Sequence, residues 1–222
     1  MPSSPLKSLA LMLYSIDLLL VTAFVLNTNG VGFNSILYPL INLDAEGSIA
    51  AWFSSSKLFA AGFVFAAAAY VRPNNSVRPV YYALWALAFF FLSADEAVGL
   101  HEKVTLVFRD VEFLPRFSGN HGIWIPLYFL AGLAFIAVTG RTSLRLWRSG
   151  NSGITILFVG IVVFVCGAVI LEVVSYGELR ELVNRRSYLV LVAVEEAFEL
   201  VGVSTILIGS VMTCFAHDLP ST

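Results

Sequence analysis

The sequence predicts an all-α polytopic membrane protein, a single domain spanning residues 1–222 and built as a bundle of about six transmembrane helices. Three observations predict it. Of the 222 residues, 58% are apolar and only 13% charged, where an average soluble domain is about a quarter charged. The mean hydropathy is +0.84, more apolar surface than a core of this size could enclose in water. Finally, six apolar runs reach the roughly 20 residues that a helix needs to cross about 30 Å of hydrocarbon.

The first run, Leu9–Thr28, follows Lys7. Asp17 in its middle and the lack of a small-x-small cleavage site before Asn27 predict a retained helix rather than a cleaved signal peptide. The others are Ile49–Val71, Val80–Leu100, Gly122–Thr139, Ile154–Ser175 and Tyr188–Cys214. Helix breakers separate them, at Asn27–Gly32, Arg72–Pro79, Phe117–Asn120 and Arg148–Gly153. Membrane strands would need only about ten residues of alternating polarity, a pattern missing here, so the spans read as helices. Two connections, Phe33–Leu43 with Pro39 and His101–Phe113 with Val104, Val107, Phe108 and Val111 at helical spacing, read as partly helical lids at the membrane surface. Trp52, Trp124, Trp147, Tyr82 and Tyr188 sit near span ends, where amphipathic rings anchor in the headgroup layer.

A formal net charge of -2 and scattered arginines give no basic field for nucleic acid. Lys and Arg are evenly divided between the two sides of the membrane. One side is wholly basic until Asp218 (Lys7, Arg72, Arg78, Arg141, Arg145, Arg148); the other mixes Lys103, Arg109, Arg116, Arg180, Arg185 and Arg186 with Asp44, Glu46, Glu102, Asp110, Glu112, Glu178 and Glu181. Placing the wholly basic side inward puts both termini in the cytoplasm. Cys166 and Cys214 lie in separate apolar runs without metal or disulfide spacing, and read as small packed hydrophobes.

The chemistry lies in acids within the spans. An ionised side chain at mid-bilayer costs at least about 2.5–3.5 kcal/mol, so such residues face the bundle interior with partners. Here they are Asp95 and Glu96 with His101 and Glu102 following, Glu172, and Glu195, Glu196 and Glu199, with Asp17 and Lys57 on earlier helices. Counting at about 1.5 Å per residue brings Asp95, Glu96, Glu172, Glu195, Glu196, Glu199 and Lys57 to one level in one half of the membrane, with Asp17 nearer the middle. On an unbroken third helix Asp95 and Glu102 fall in line with Gly99 between them, leaving room for a partner helix, while His101 points about 120° away. Glu195, Glu196 and Glu199 share one face of the last helix.

Ionised together in a low dielectric, these carboxylates repel, so a cation, shared protons or the cations Lys57, Arg185 or Arg186 must compensate. One expectation is a metal site using Asp95, Glu96, His101, Glu102, Glu172, Glu195, Glu196 and Glu199, taking a divalent Fe, Mn, Mg or Ca ion. The Glu-x-x-His signature of di-iron bundles is missing. Zinc, which needs clustered Cys and His, is disfavoured. The second is a proton- or cation-coupled transporter or sensor, with Lys57, Asp17 and Glu46 as counter-charge or relay. The third is a non-catalytic subunit that pairs with a second copy or another membrane protein. The plainer alternative for the acids is helix-to-helix pairing with Lys57, Ser54 or Ser93; Glu102, Glu112, Glu178 and Glu181 also read as solvated acids and His121 as a loop histidine.

The stretches Leu43–Ser48 with Trp52–Ser55, Phe91–Glu96 with Leu100–Glu102, and Val194–Gly202 give the chain a resemblance to uncharacterised bacterial multi-pass membrane proteins along most of its length. That resemblance implies a bacterial inner-membrane location, assigns no activity, and draws attention to Glu46 and Trp52.

Overall fold

A computed structural model describes residues 4–28, 37–45, 47–71, 77–111, 113–115, 122–174 and 185–215, the side chains of residues 185 and 186 excepted. Helix α1 (Ser4–Thr28) is followed by a single turn, α2 (Tyr38–Ile41), begun by Pro39. Then come α3 (Ile49–Val71), α4 (Pro79–Val98), the short α5 (Leu100–Phe108) and α6 (Trp124–Arg148). The next span is compound: α7 (Ser152–Val165), a π-helical segment (Cys166–Leu171) and α8 (Glu172–Val174). The last helix is α9 (Arg185–Phe215). Six helical stretches are long and apolar enough to cross a membrane, and the chain folds as an all-α multi-pass bundle.

Helix α9 is its axis. It packs against α1, α3 and α7, while α3 also lies along α4. In the apolar window of α9, 67% is buried inside the bundle, against 11% for α6, which hangs on the outside. The contact of the compound span with α9 is close because glycines recur every seven residues on both partners: Gly153, Gly160 and Gly167 lie against Thr213, Ile206 and Glu199, and Gly202 and Gly209 against Phe164 and Leu157. A Cβ at Gly160 would stand 2.6 Å from the Ile206 backbone nitrogen. In lipid, where apolar surface provides no drive to associate, such backbone approach is what holds helices together. The α3–α4 contact adds a polar clasp: Ser55 Oγ donates to the Ser93 carbonyl at 2.7 Å and Ser93 Oγ to the Ser55 carbonyl at 2.9 Å. Phe65, Trp85 and Phe89 stack beneath it.

Three local features differ from the sequence expectation. Helix α6 runs on from Thr139 through Arg141, Arg145 and Arg148 to a stop at Ser149 and Gly150 (φ 82). The apolar window ends where lipid would, but backbone hydrogen bonding continues. Helix α4 ends at Val98 instead of Leu100, because Gly99 adopts the left-handed conformation (φ 58, ψ 53) and its N–H bonds the Asp95 carbonyl. Gly99 is therefore a C-terminal cap, not a packing gap. Trp124 and Tyr82, expected as headgroup anchors, are 7% and 4% exposed and packed inside, whereas Trp52 and Trp147 are exposed.

Candidate functional site

Asp17 and Lys57 form the deepest charged contact. Lys57 Nζ donates to Asp17 Oδ1 at 2.8 Å, to the Leu200 carbonyl at 2.8 Å and to Ser204 Oγ at 3.0 Å. Ser204 Oγ in turn donates to Asp17 Oδ2 at 2.6 Å, and the Phe53 ring lies 4.5 Å from the ammonium. All three ammonium protons are directed at oxygen. The contact ties α1 and α3 to α9, and both side chains are 2% exposed or less. Lys57 thus stands opposite Asp17, near the middle of α1, while Glu96 acts on it only through space. The level count had set it among the later acids, but reach and the Ser204 hydroxyl decide its partner.

A second group forms where α4 turns into α5. With the helix broken at Gly99, Asp95 and Glu102 no longer lie in line, and the chain folds His101 back onto Asp95. A single oxygen, Asp95 Oδ1, receives the His101 backbone N–H at 2.8 Å, meets the ring Nδ1 at 3.2 Å, and accepts the Tyr128 hydroxyl at 3.2 Å. Asp95 thereby caps the first turn of α5, satisfying an orphan amide with a negative charge at a helix N-terminus. Trp124 packs its ring 5.3 Å from His101 and 5.1 Å from Tyr128. Lys103 Nζ turns back onto the Val98 carbonyl, and Glu102 is exposed. Burial alone pushes the His101 imidazole down. The hydrogen bond and charge of Asp95, with the charges of Glu172 and Glu102, outweigh it and leave His101 above its ordinary value.

The third group collects Glu96 from α4, Glu172 from α8 and Glu195, Glu196 and Glu199 from α9. Glu199 feels the charges of the other four, and Glu196 those of Glu96, Glu195 and Asp44. Gly167 makes the approach possible: a Cβ there would stand 2.7 Å from Glu199 Cγ and 2.9 Å from the Glu195 carbonyl. The π segment containing Gly167 matters as well. Its i→i+5 hydrogen bonding holds an extra residue in the turn and re-aims everything after it, beginning with Glu172.

Among the described residues, no three His, Cys, Asp or Glu side chains are placed to hold a metal ion. Asp95, Glu96, His101, Glu102, Glu172, Glu195, Glu196 and Glu199 instead divide between the second and third groups. Among the described residues Ser93 hydrogen-bonds Ser55. Glu46, Glu112, His121, Glu178 and Glu181 lie outside the described residues, as do the side chains of Arg185 and Arg186. Among the described residues Cys166, half-buried, and Cys214, buried, are not joined in a disulfide. Sequence reasoning missed Tyr128 and Trp124 as neighbours of Asp95 and His101; their only signal was a position one turn apart at the start of a span.

One family model matches residues 12–213, and its description is "Domain of unknown function (DUF8692)". The chain belongs to the DUF8692 family. That match takes in all three charged groups and every long helix apart from the first turns of α1 and the last two residues of α9. No curated protein and no solved structure matches the chain. DUF8692 membership carries no activity, so function has to come from the groups themselves.

Proposed function

We propose that the protein is a proton-binding membrane protein of the transporter or sensor kind, and that Glu96, Glu172, Glu195, Glu196 and Glu199 are its working part. One observation carries this reading: five carboxylates from three elements lie near enough for their charges to interact, on helices apolar enough to span a bilayer. Like charges in a low dielectric favour binding of a positive species, and protons are the smallest. Intramembrane Asp and Glu chains are the usual parts of proton relays. The wholly basic loops, the likeness to bacterial inner-membrane proteins and the positive-inside tendency support a bacterial inner-membrane location with cytoplasmic termini. The complete set of hydrogen bonds around Lys57, and the burial of both side chains, make Asp17 and Lys57 a fixed strut rather than an exchange site.

Potentiometric titration of the purified protein in detergent tests the reading. Between about pH 5 and 9, where ordinary carboxylates no longer titrate, the wild type takes up protons that a Glu196→Gln, Glu199→Gln variant does not. Equal uptake by the two proteins contradicts it. Elemental analysis of the same samples tests occupancy by Fe, Mn, Mg or Ca: stoichiometric metal in the wild type, lost on Glu195→Ala, Glu199→Ala substitution, would replace the proton by a divalent cation.

A further inference from the structure

Glu172 lies between the second and third groups. Its carboxylate accepts a hydrogen bond from the Trp124 side chain, whose ring packs 5.3 Å from His101. It follows by one π turn Gly167, which lies against Glu199, and its charge acts on both His101 and Glu199. It is the first residue after the π segment, the element whose extra residue sets the direction of α8. His101 is 29% exposed at the side chain, whereas Asp95 beneath it is 12% exposed, so the imidazole is the part of this group that reaches toward solvent. With Nδ1 held against Asp95, the ring presents Nε2 on its other side; a carboxylate at one nitrogen selects the tautomer in which the other exchanges protons.

We propose that His101 is the entry port through which protons reach the intramembrane carboxylates, and that Glu172 is the stepping stone between them. The proposal rests on the proton-binding reading above. Each step moves one proton. An N–H bond of the imidazolium breaks as an O–H bond forms on the Glu172 carboxylate, directly or across one water, leaving a neutral ring and a neutral acid. That O–H then breaks as one forms on Glu199, and Glu172 returns to its carboxylate.

The groups facing His101 are Asp95 from α4, Glu102 on its own helix, Trp124 from α6 and Glu172 from α8. Asp95, itself hydrogen-bonded by Tyr128, and the Trp124 ring hold the imidazole in place, and Glu102 draws protons toward it from the exposed side. The π segment has a role in this arrangement: an ordinary helical turn would rotate Glu172 by about 100° away from its present facing.

A pH jump on the purified protein, followed by rapid infrared detection of the protonated-carboxyl band, tests the path. His101→Gln should leave the final amplitude intact and slow its rise about a hundredfold, the low end of what a positioned acid–base group supplies. Glu172→Gln should lower the amplitude, one of the five acids being lost, and slow the rise of the rest to a similar extent. Added imidazole should restore the rate in His101→Gln and not in Glu172→Gln. Wild-type rates in both variants, with the band present, overturn the path while leaving proton binding standing. A wild type without the band overturns proton binding itself, and the path with it.

Discussion

The bundle carries charge in two ways. Around Lys57, opposite charges and every ammonium proton are matched: Asp17, the Leu200 carbonyl and Ser204 enclose the nitrogen, and the site is shut from its surroundings. Immediately N-terminal to these contacts on the same α9 helix, Glu195, Glu196 and Glu199 interact with Glu96 and Glu172, like charge against like. The first arrangement is complete within the chain and serves to hold α1, α3 and α9 together. In the second, like charge faces like, which is the arrangement expected of an exchangeable occupant. Stability and function are thus divided along one helix by the sign of its neighbours.

Breaking the matched site should have the largest effect. Lys57→Met leaves Asp17 buried beside Ser204 alone, and removal of one partner of a buried pair costs about 3–5 kcal/mol; thermal or denaturant unfolding in detergent reads it. The double variant Lys57→Met, Asp17→Leu should recover most of that loss, since two apolar side chains of similar volume replace a satisfied pair at little cost. Failure of the second substitution to rescue would mean that Asp17 has a use beyond pairing.

A change at the α7–α9 seam comes next. Gly160→Leu drives a side chain into the Ile206 backbone and should destabilise by about 1–3 kcal/mol or more, as overpacking does. Gly132, with nothing within 4 Å of a Cβ, should accept the same substitution nearly silently. Equal losses at the two positions would remove the seam from the account.

The smallest expected effect sharpens the contrast from the other side. His101 binds its proton more tightly when docked on Asp95 than when free. Its contribution to holding α5 in place is therefore fully present below the free value, about pH 6.5, and lost as pH rises through the elevated docked value. Hydrogen exchange at the α5 amides should accelerate over that interval in the wild type and be independent of pH, apart from the chemical rate, in His101→Gln.

The long helices were readable because lipid demands apolar length, and that demand is written in plain composition. The charged residues were readable for the same reason: Asp17, Lys57 and the later acids stand out against an apolar background. Their partners were harder. Counting rise along straight helices gave the level of Lys57 but not that α1 lies beside it, which depends on packing against α9. Gly99 was visible and admitted two meanings. Taken as a packing glycine it left α4 unbroken and separated His101 from Asp95; taken as a helix stop it would have folded one back on the other. The π segment at Cys166–Leu171 has no sequence signal beyond Gly167, the residue through which it lies against Glu199.

Infrared spectra of the purified protein in water and in heavy water test the division most directly. The account predicts a protonated-carboxyl band near neutral pH that shifts on deuteration, is lost in Glu196→Gln, Glu199→Gln, and persists in the Lys57→Met, Asp17→Leu variant. A band that survives the loss of both glutamates but vanishes with Asp17 would contradict it, placing the exchangeable proton in the pair described here as a strut.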